Sequence, residues 1–255
     1  MLFLFRKLRN KALFQHAAFT YLLYAVGEII LVVIGILIAL QVNEWNNNRK
    51  NRKLEQSYHC RLLEDVIQDQ DQILTLLDQT EKRIEACNDL LTLLQDEKVD
   101  LKRTSNLLMS SISMMTSTFK TSQAAFEDIK SSGNLNIMRD EQLKQQLIGY
   151  YTRMDGFIDV VDRNADGTVD LRYRKEDFAE AGWHYIDFVR ESIDTGKVEL
   201  ESLDIADFDE TKFKKLTRSE GLFYLGANAR VKMLYQSMEK DIVQMKELLS
   251  TKCTR

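Results

Sequence analysis

AAFTYLLYAVGEIILVVIGILIALQV, residues 17–42, is the stretch from which the rest of the chain can be read. It carries one formal charge, Glu28, and no charged or strongly polar side chain from Ile29 to Leu40. A helix of about 20 mostly apolar residues crosses about 30 Å of hydrocarbon. Tyr21 and Tyr24 on one side and Trp45 on the other are the amphipathic rings that favour a membrane–water boundary. The stretch is expected to be a transmembrane helix, and no other segment matches its length and apolarity.

Three parts follow from that reading: a basic amphipathic segment at 1–16, a membrane helix at 17–45 and a helical soluble domain at 46–255. The chain has 255 residues, no proline and ten glycines, with 44% hydrophobic and 29% charged residues. Without the residue that most often breaks helices, such a composition favours long ones. The expected fold class is all-α: a transmembrane helix continuing into a long stalk helix, about 44–96, packed with an antiparallel bundle over 101–251.

The formal net charge of −4 conceals a division. Residues 1–56 hold eight Lys or Arg and three acids, leaving 27 basic and 36 acidic residues beyond them. An acidic domain is a poor match for the phosphates of nucleic acid, which is excluded as a partner. Four cations precede the apolar stretch (Arg6, Lys7, Arg9, Lys11) and four follow it (Arg49, Lys50, Arg52, Lys53), so charge alone does not orient the span. A long C-terminal domain translocates largely regardless of charge, which favours an N-terminus inside and a domain outside the cytoplasm. No small-residue cleavage site follows the apolar run, so an uncleaved anchor is expected.

Within the span, Gly35 and Ala39 form a small-xxx-small pair suited to close helix association. Glu28 either lies at the membrane boundary or faces a partner within it, because a carboxylate at depth is costly. Residues 1–16 can lie in the headgroup layer with their apolar side in the acyl boundary. After Trp45, apolar residues recur from Leu54 through Tyr58, Leu62, Val66, Ile73 and Leu77 to Leu94, mostly at gaps of three or four. Asp69 and Gln70 interrupt this stripe, making an imperfect coiled-coil pattern.

Beyond a polar turn at Asp96–Asp100, helices are expected over Leu101–Phe119, after a Thr121 or Ser122 cap, after an Asp140 cap and over about 174–192. Gly133 should end the second of these. Residues 191–210 are acidic and read as a solvated loop, with a short extended piece at Val198–Leu200. The last helix, about 217–251, shows Leu222, Leu225, Ala229, Met233, Gln236, Lys240, Val243 and Leu248 loosely on one side. Cys60, Cys87 and Cys253 are odd in number and far apart, so no disulfide framework is apparent and buried or idle thiols are expected.

The sharpest chemical motif is DRNADGTVDLRY, residues 162–173. It follows the calcium-loop pattern with Asp162, Asn164 and Asp166 as first ligands, Gly167 at the turn, the Thr168 carbonyl and Asp170. Tyr173 stands where a bidentate glutamate belongs, so a weak Ca²⁺ site is one reading and an ordinary helix–helix turn the other. No catalytic residues emerge. His16, His59 and His184 lie apart, and no glycine-rich phosphate loop or nucleophile elbow is present.

The strings YAVGEIILVVIGILIALQVNEWNNNR and FEDIKSSGNLNIMRDEQLKQQLIGYY, within residues 21–49 and 126–151, are similar to an uncharacterised family of Bacteroidetes single-pass membrane proteins, a domain of unknown function. The resemblance implies one membrane span and a helical domain in a bacterium, and supplies no activity or site residues. The expected function is that of a membrane-anchored interaction or scaffolding module without enzymatic activity. Its partners would be the bilayer, a second copy through the membrane and stalk helices, and an unidentified protein. A calcium- or ligand-responsive sensory domain built on the 162–170 loop is the alternative.

Overall fold

The structure, a computed structural model, describes residues 2–174, 182–204 and 208–253, with side chains at Leu22 and from residue 25 onward. Tyr21, Tyr24 and the amphipathic face expected at 1–16 therefore fall outside the described side chains. The described residues are all-α, with no strand. They form α1 (Leu2–Leu93), α2 (Leu101–Ser110), α3 (Ala124–Ser131), α4 (Glu141–Tyr173), α5 (Asp187–Ser192) and α6 (Glu210–Lys252), plus three short 3-10 turns. The chain divides into two compact units, Met1–Glu55 and Gln56–Arg255.

In the first unit the side chains from Ile29 to Leu40 are all exposed, Leu31 at 73%. Of the described helices, one is long and apolar enough to cross a membrane, and none of the residues in its apolar window is buried. Glu28, Gly35, Ala39 and Trp45 lie on this open surface. A Cβ added at Gly35 would meet nothing within 4 Å.

The second unit is built on α1 and α6. Gln56 Nε2 donates to the Lys252 carbonyl (2.9 Å), Lys246 Nζ to Gln70 Oε1 (2.7 Å) and Arg83 Nε to Asn228 Oδ1 (2.7 Å). Numbers rise along one helix as they fall along the other, so the two run antiparallel. The buried positions of α1 include Leu62, Val66, Asp69, Ile73, Leu76, Thr80, Arg83, Cys87 and Leu90, with Leu94 just beyond its end. Those of α6 include Thr217, Gly221, Tyr224, Asn228, Val231, Tyr235, Met238, Ile242, Met245 and Leu249. Both alternate gaps of four and three, the heptad spacing that keeps one seam facing a partner. A Cβ on Gly221 would come within 3.1 Å of Leu90 Cδ2, so glycine lets the helices approach closely there.

Two expectations are corrected here. Asp69 does not interrupt the α1 stripe; it is fully buried within it. On α6 the expected stripe lies about one residue, roughly 100°, off the buried face. Leu222 (55% exposed) and Met233 (58%) point outward, while tyrosine, asparagine, threonine and glycine hold core positions.

The antiparallel pairing also overturns the reading of idle thiols. Cys60 and Cys253, 193 residues apart, form a disulfide with Cα atoms 4.9 Å apart, and Cys87 is a buried free thiol. The two partners sit at opposite ends of the domain's sequence, so spacing could not suggest the pair.

Several boundaries shift as well. α2 ends at Ser110, where residues 111–116 form successive turns instead of continuing to Phe119. The helix expected at about 174–192 appears as α5 after a 3-10 turn, Trp183–Tyr185, with Phe178 outside the described residues. The piece at Val198–Leu200 leads into a 3-10 turn, Leu200–Leu203, instead of a strand. Gly133 (φ +71) terminates α3, and Asp140 caps α4 through the Leu143 N–H, as the sequence suggests.

Candidate functional site

The 162–170 segment is not a loop. It lies inside α4, which runs unbroken from Glu141 to Tyr173. A calcium loop folds back at its glycine so that alternate ligands converge; on a helix, alternate residues are separated by about 200° and diverge. Asp162 accepts from Thr118 Oγ1 (2.5 Å) and pairs with Lys120 (3.1 Å). Asn164 Nδ2 reaches the Ala227 carbonyl at 3.4 Å, and Thr168 is buried and donates to the Asn164 carbonyl at 2.6 Å. Asp166 is exposed, and Asp170 pairs with Arg174 at 2.9 Å. The motif that predicts a turn is overridden because the α4 segment that contains it lays Val161, Ala165, Thr168 and Arg172 at helical spacing into the core. Among the described residues no three His, Cys, Asp or Glu side chains are grouped to hold a metal ion.

What the core does hold is a chain of buried polar side chains. Arg83 is 4% exposed. It donates from Nε to Asn228 Oδ1 (2.7 Å), from Nη2 to Thr80 Oγ1 (2.7 Å) and from Nη1 to the Ser113 carbonyl (3.2 Å). All three acceptors are neutral, and among the described residues no carboxylate pairs with this guanidinium. Asn228 is fully buried and donates from Nδ2 to the carbonyls of Ser111 and Tyr224, both at 2.9 Å. The Tyr224 hydroxyl in turn donates to Glu220, which faces Arg172 at 3.5 Å, and the Arg172 guanidinium lies 5.5 Å from the Trp183 ring. Burial raises the Tyr224 phenol well above its ordinary range and pushes that of Tyr235 up to about 12.

A second buried device organises α3. Its preceding residue, Gln123, provides no side-chain cap, and the expected Thr121 or Ser122 cap is not used. Two carboxylates of α1 do the work: Asp69 Oδ1 accepts from Ser122 N–H (2.6 Å) and Asp65 Oδ2 from Ala125 N–H (2.8 Å). The Tyr150 hydroxyl of α4 donates to Asp69 Oδ2 at 2.8 Å. Desolvation raises the Asp69 pKa despite these donors. Anions at a helix N-terminus satisfy its unpaired N–H groups and compensate its dipole; Asp65 ties α1 to the first turn of α3, and Asp69 ties α1 to the segment leading into α3 and to α4.

The Arg83 network supports the turns at 111–116, and a cavity of about 350 Å³ opens above them, between those turns, α4 and α5. Met109, Ile112, Met115, Val169 and Ile186 supply apolar lining, and Ser110, Ser113 and Thr116 stand among its polar residues. Met114 at its edge has φ +53 and is 61% exposed, a left-handed conformation that non-glycine residues rarely adopt. Arg83, Asn228 and the Asp65–Asp69 cap were not found from the sequence, since an isolated polar residue on a stripe reads as an interruption until its partners are known.

No curated protein matches the chain, and no solved structure matches it. The match of a protein-family model to residues 28–159 takes in the apolar span, the Asp65–Asp69 cap and the first half of α4, and the chain belongs to that family of unknown function, DUF6090.

Proposed function

We propose that this protein is a membrane-anchored helical interaction module, held by one transmembrane helix with its domain outside the cytoplasm, and that it associates with a second copy. The observation that carries the reading is the run of exposed apolar side chains from Ile29 to Leu40 attached to a domain that closes its own core. Such a run is stable only where water is excluded. Gly35 and Ala39 leave an open, small-residue strip along it, suited to close contact with an identical helix. The domain adds Leu222, Phe223 and Met233 on the outer side of α6, apolar side chains available to a partner.

The Cys60–Cys253 disulfide supports the orientation, because such bonds persist in oxidising compartments and are rare in the cytosol. The module works by binding, not catalysis. Sedimentation of the full chain in detergent tests the association: a dimer or higher oligomer is expected, weakened by Gly35→Leu, and a monomer at all concentrations would overturn it.

A further inference from the structure

We propose that the cavity above residues 111–116 is a binding site for a small single-chain amphiphile with an anionic head, such as a medium-chain carboxylate. The proposal is independent of self-association. At about 350 Å³ the cavity falls at the lower end of the range of small-molecule sites, and its lining mixes apolar with polar side chains. Its apolar lining comes from Met109, Ile112, Met115, Val169 and Ile186. Methionine is flexible and polarizable, and adapts to an alkyl chain of variable length.

Three further observations give the ligand its polarity and sign. Ser110, Ser113 and Thr116 are exposed and line the cavity, so their hydroxyls are available to donate to a head group. Arg83 lies behind the same turns, 4% exposed, bonded to the Ser113 carbonyl and to neutral acceptors only among the described residues. A buried charge that no carboxylate balances projects a field through low-dielectric surroundings and favours an anion nearby. Asp187 places one carboxylate among the lining residues, but it is exposed to water that screens it. The left-handed Met114 is the third observation: backbone strain held in place by a buried network is a common mark of ligand sites.

The test uses the full chain in lipid nanodiscs, labelled with ¹³C at the methionine methyls and titrated with decanoate, decanol or decyltrimethylammonium. Decanoate is expected to shift the Met109 and Met115 methyls saturably, at least tenfold more tightly than the cation, while the methyls of Met154 and Met238, which do not line the cavity, stay unmoved. Val169→Phe, which fills the cavity, should abolish the shifts. Ser113→Ala with Thr116→Val, which leaves the core untouched, should weaken decanoate about tenfold without affecting decanol. The proposal is overturned if Met109 and Met115 do not respond, if all three amphiphiles act alike, or if the double variant binds decanoate as the parent does.

Discussion

Cys60 on α1 is covalently joined to Cys253, the residue that ends α6, across 193 positions of sequence. The bond closes a loop containing nearly the whole domain, and closing so long a loop restricts the unfolded chain strongly. Cys60→Ser should lower domain stability by about 3–5 kcal/mol. Urea denaturation should show reductant destabilising the parent and leaving the variant unchanged; equal sensitivity in both would contradict the assignment.

Asp69 should give the domain a pH signature. Its folded-state pKa is raised by burial, so the native state binds its proton more tightly than the unfolded chain does. That contribution is fully present below the ordinary carboxylate pKa and is lost as pH rises through the raised value. The stability difference between the parent and Asp69→Asn should therefore move against the parent as pH increases from about 4. Denaturation curves at several pH values check this, and a difference that moves in the parent's favour would refute it.

Removing the Arg83 guanidinium should be costly because it leaves the Asn228 and Thr80 oxygens and the Ser113 carbonyl without their donor. Arg83→Met is expected to destabilise by about 2–3 kcal/mol. In a double-mutant cycle with Asn228→Leu the two losses should be strongly non-additive. Additive losses would mean that the two side chains do not act as one network.

Positive φ has opposite consequences at two positions. Gly133 (φ +71) has open space where a Cβ would stand, so Gly133→Ala should cost about 1 kcal/mol from conformation alone. Met114→Gly relieves the same strain at φ +53 and should be neutral or stabilising by up to about 1 kcal/mol. Thermal melts that rank the two substitutions the other way would refute the backbone assignment.

The apolar run at 29–40, the Asp140 cap of α4 and the Gly133 end of α3 were legible because each is set by local chemistry. The antiparallel α1–α6 pairing was legible in outline, yet its face on α6 was not. There Tyr224, Asn228 and Gly221 occupy the seam while Leu222 and Met233 lie outside it, so hydrophobicity pointed to the wrong side. The calcium pattern misled for a related reason: Asp162 to Asp170 carry turn-forming residues, but the packing of Val161, Ala165 and Thr168 prevails over local turn preference. The disulfide, the buried Arg83 and the Asp69 cap depend on contacts between distant segments, which no local pattern encodes.

The proposed arrangement is a helical domain held outside the cytoplasm by one membrane span. Its most direct test is a pair of reporters fused after Arg255 in the full chain: alkaline phosphatase, active only outside the cytoplasm, and a fluorescent protein that matures only inside it. Phosphatase activity without fluorescence is expected. Fluorescence without phosphatase activity would place the domain in the cytoplasm and contradict it.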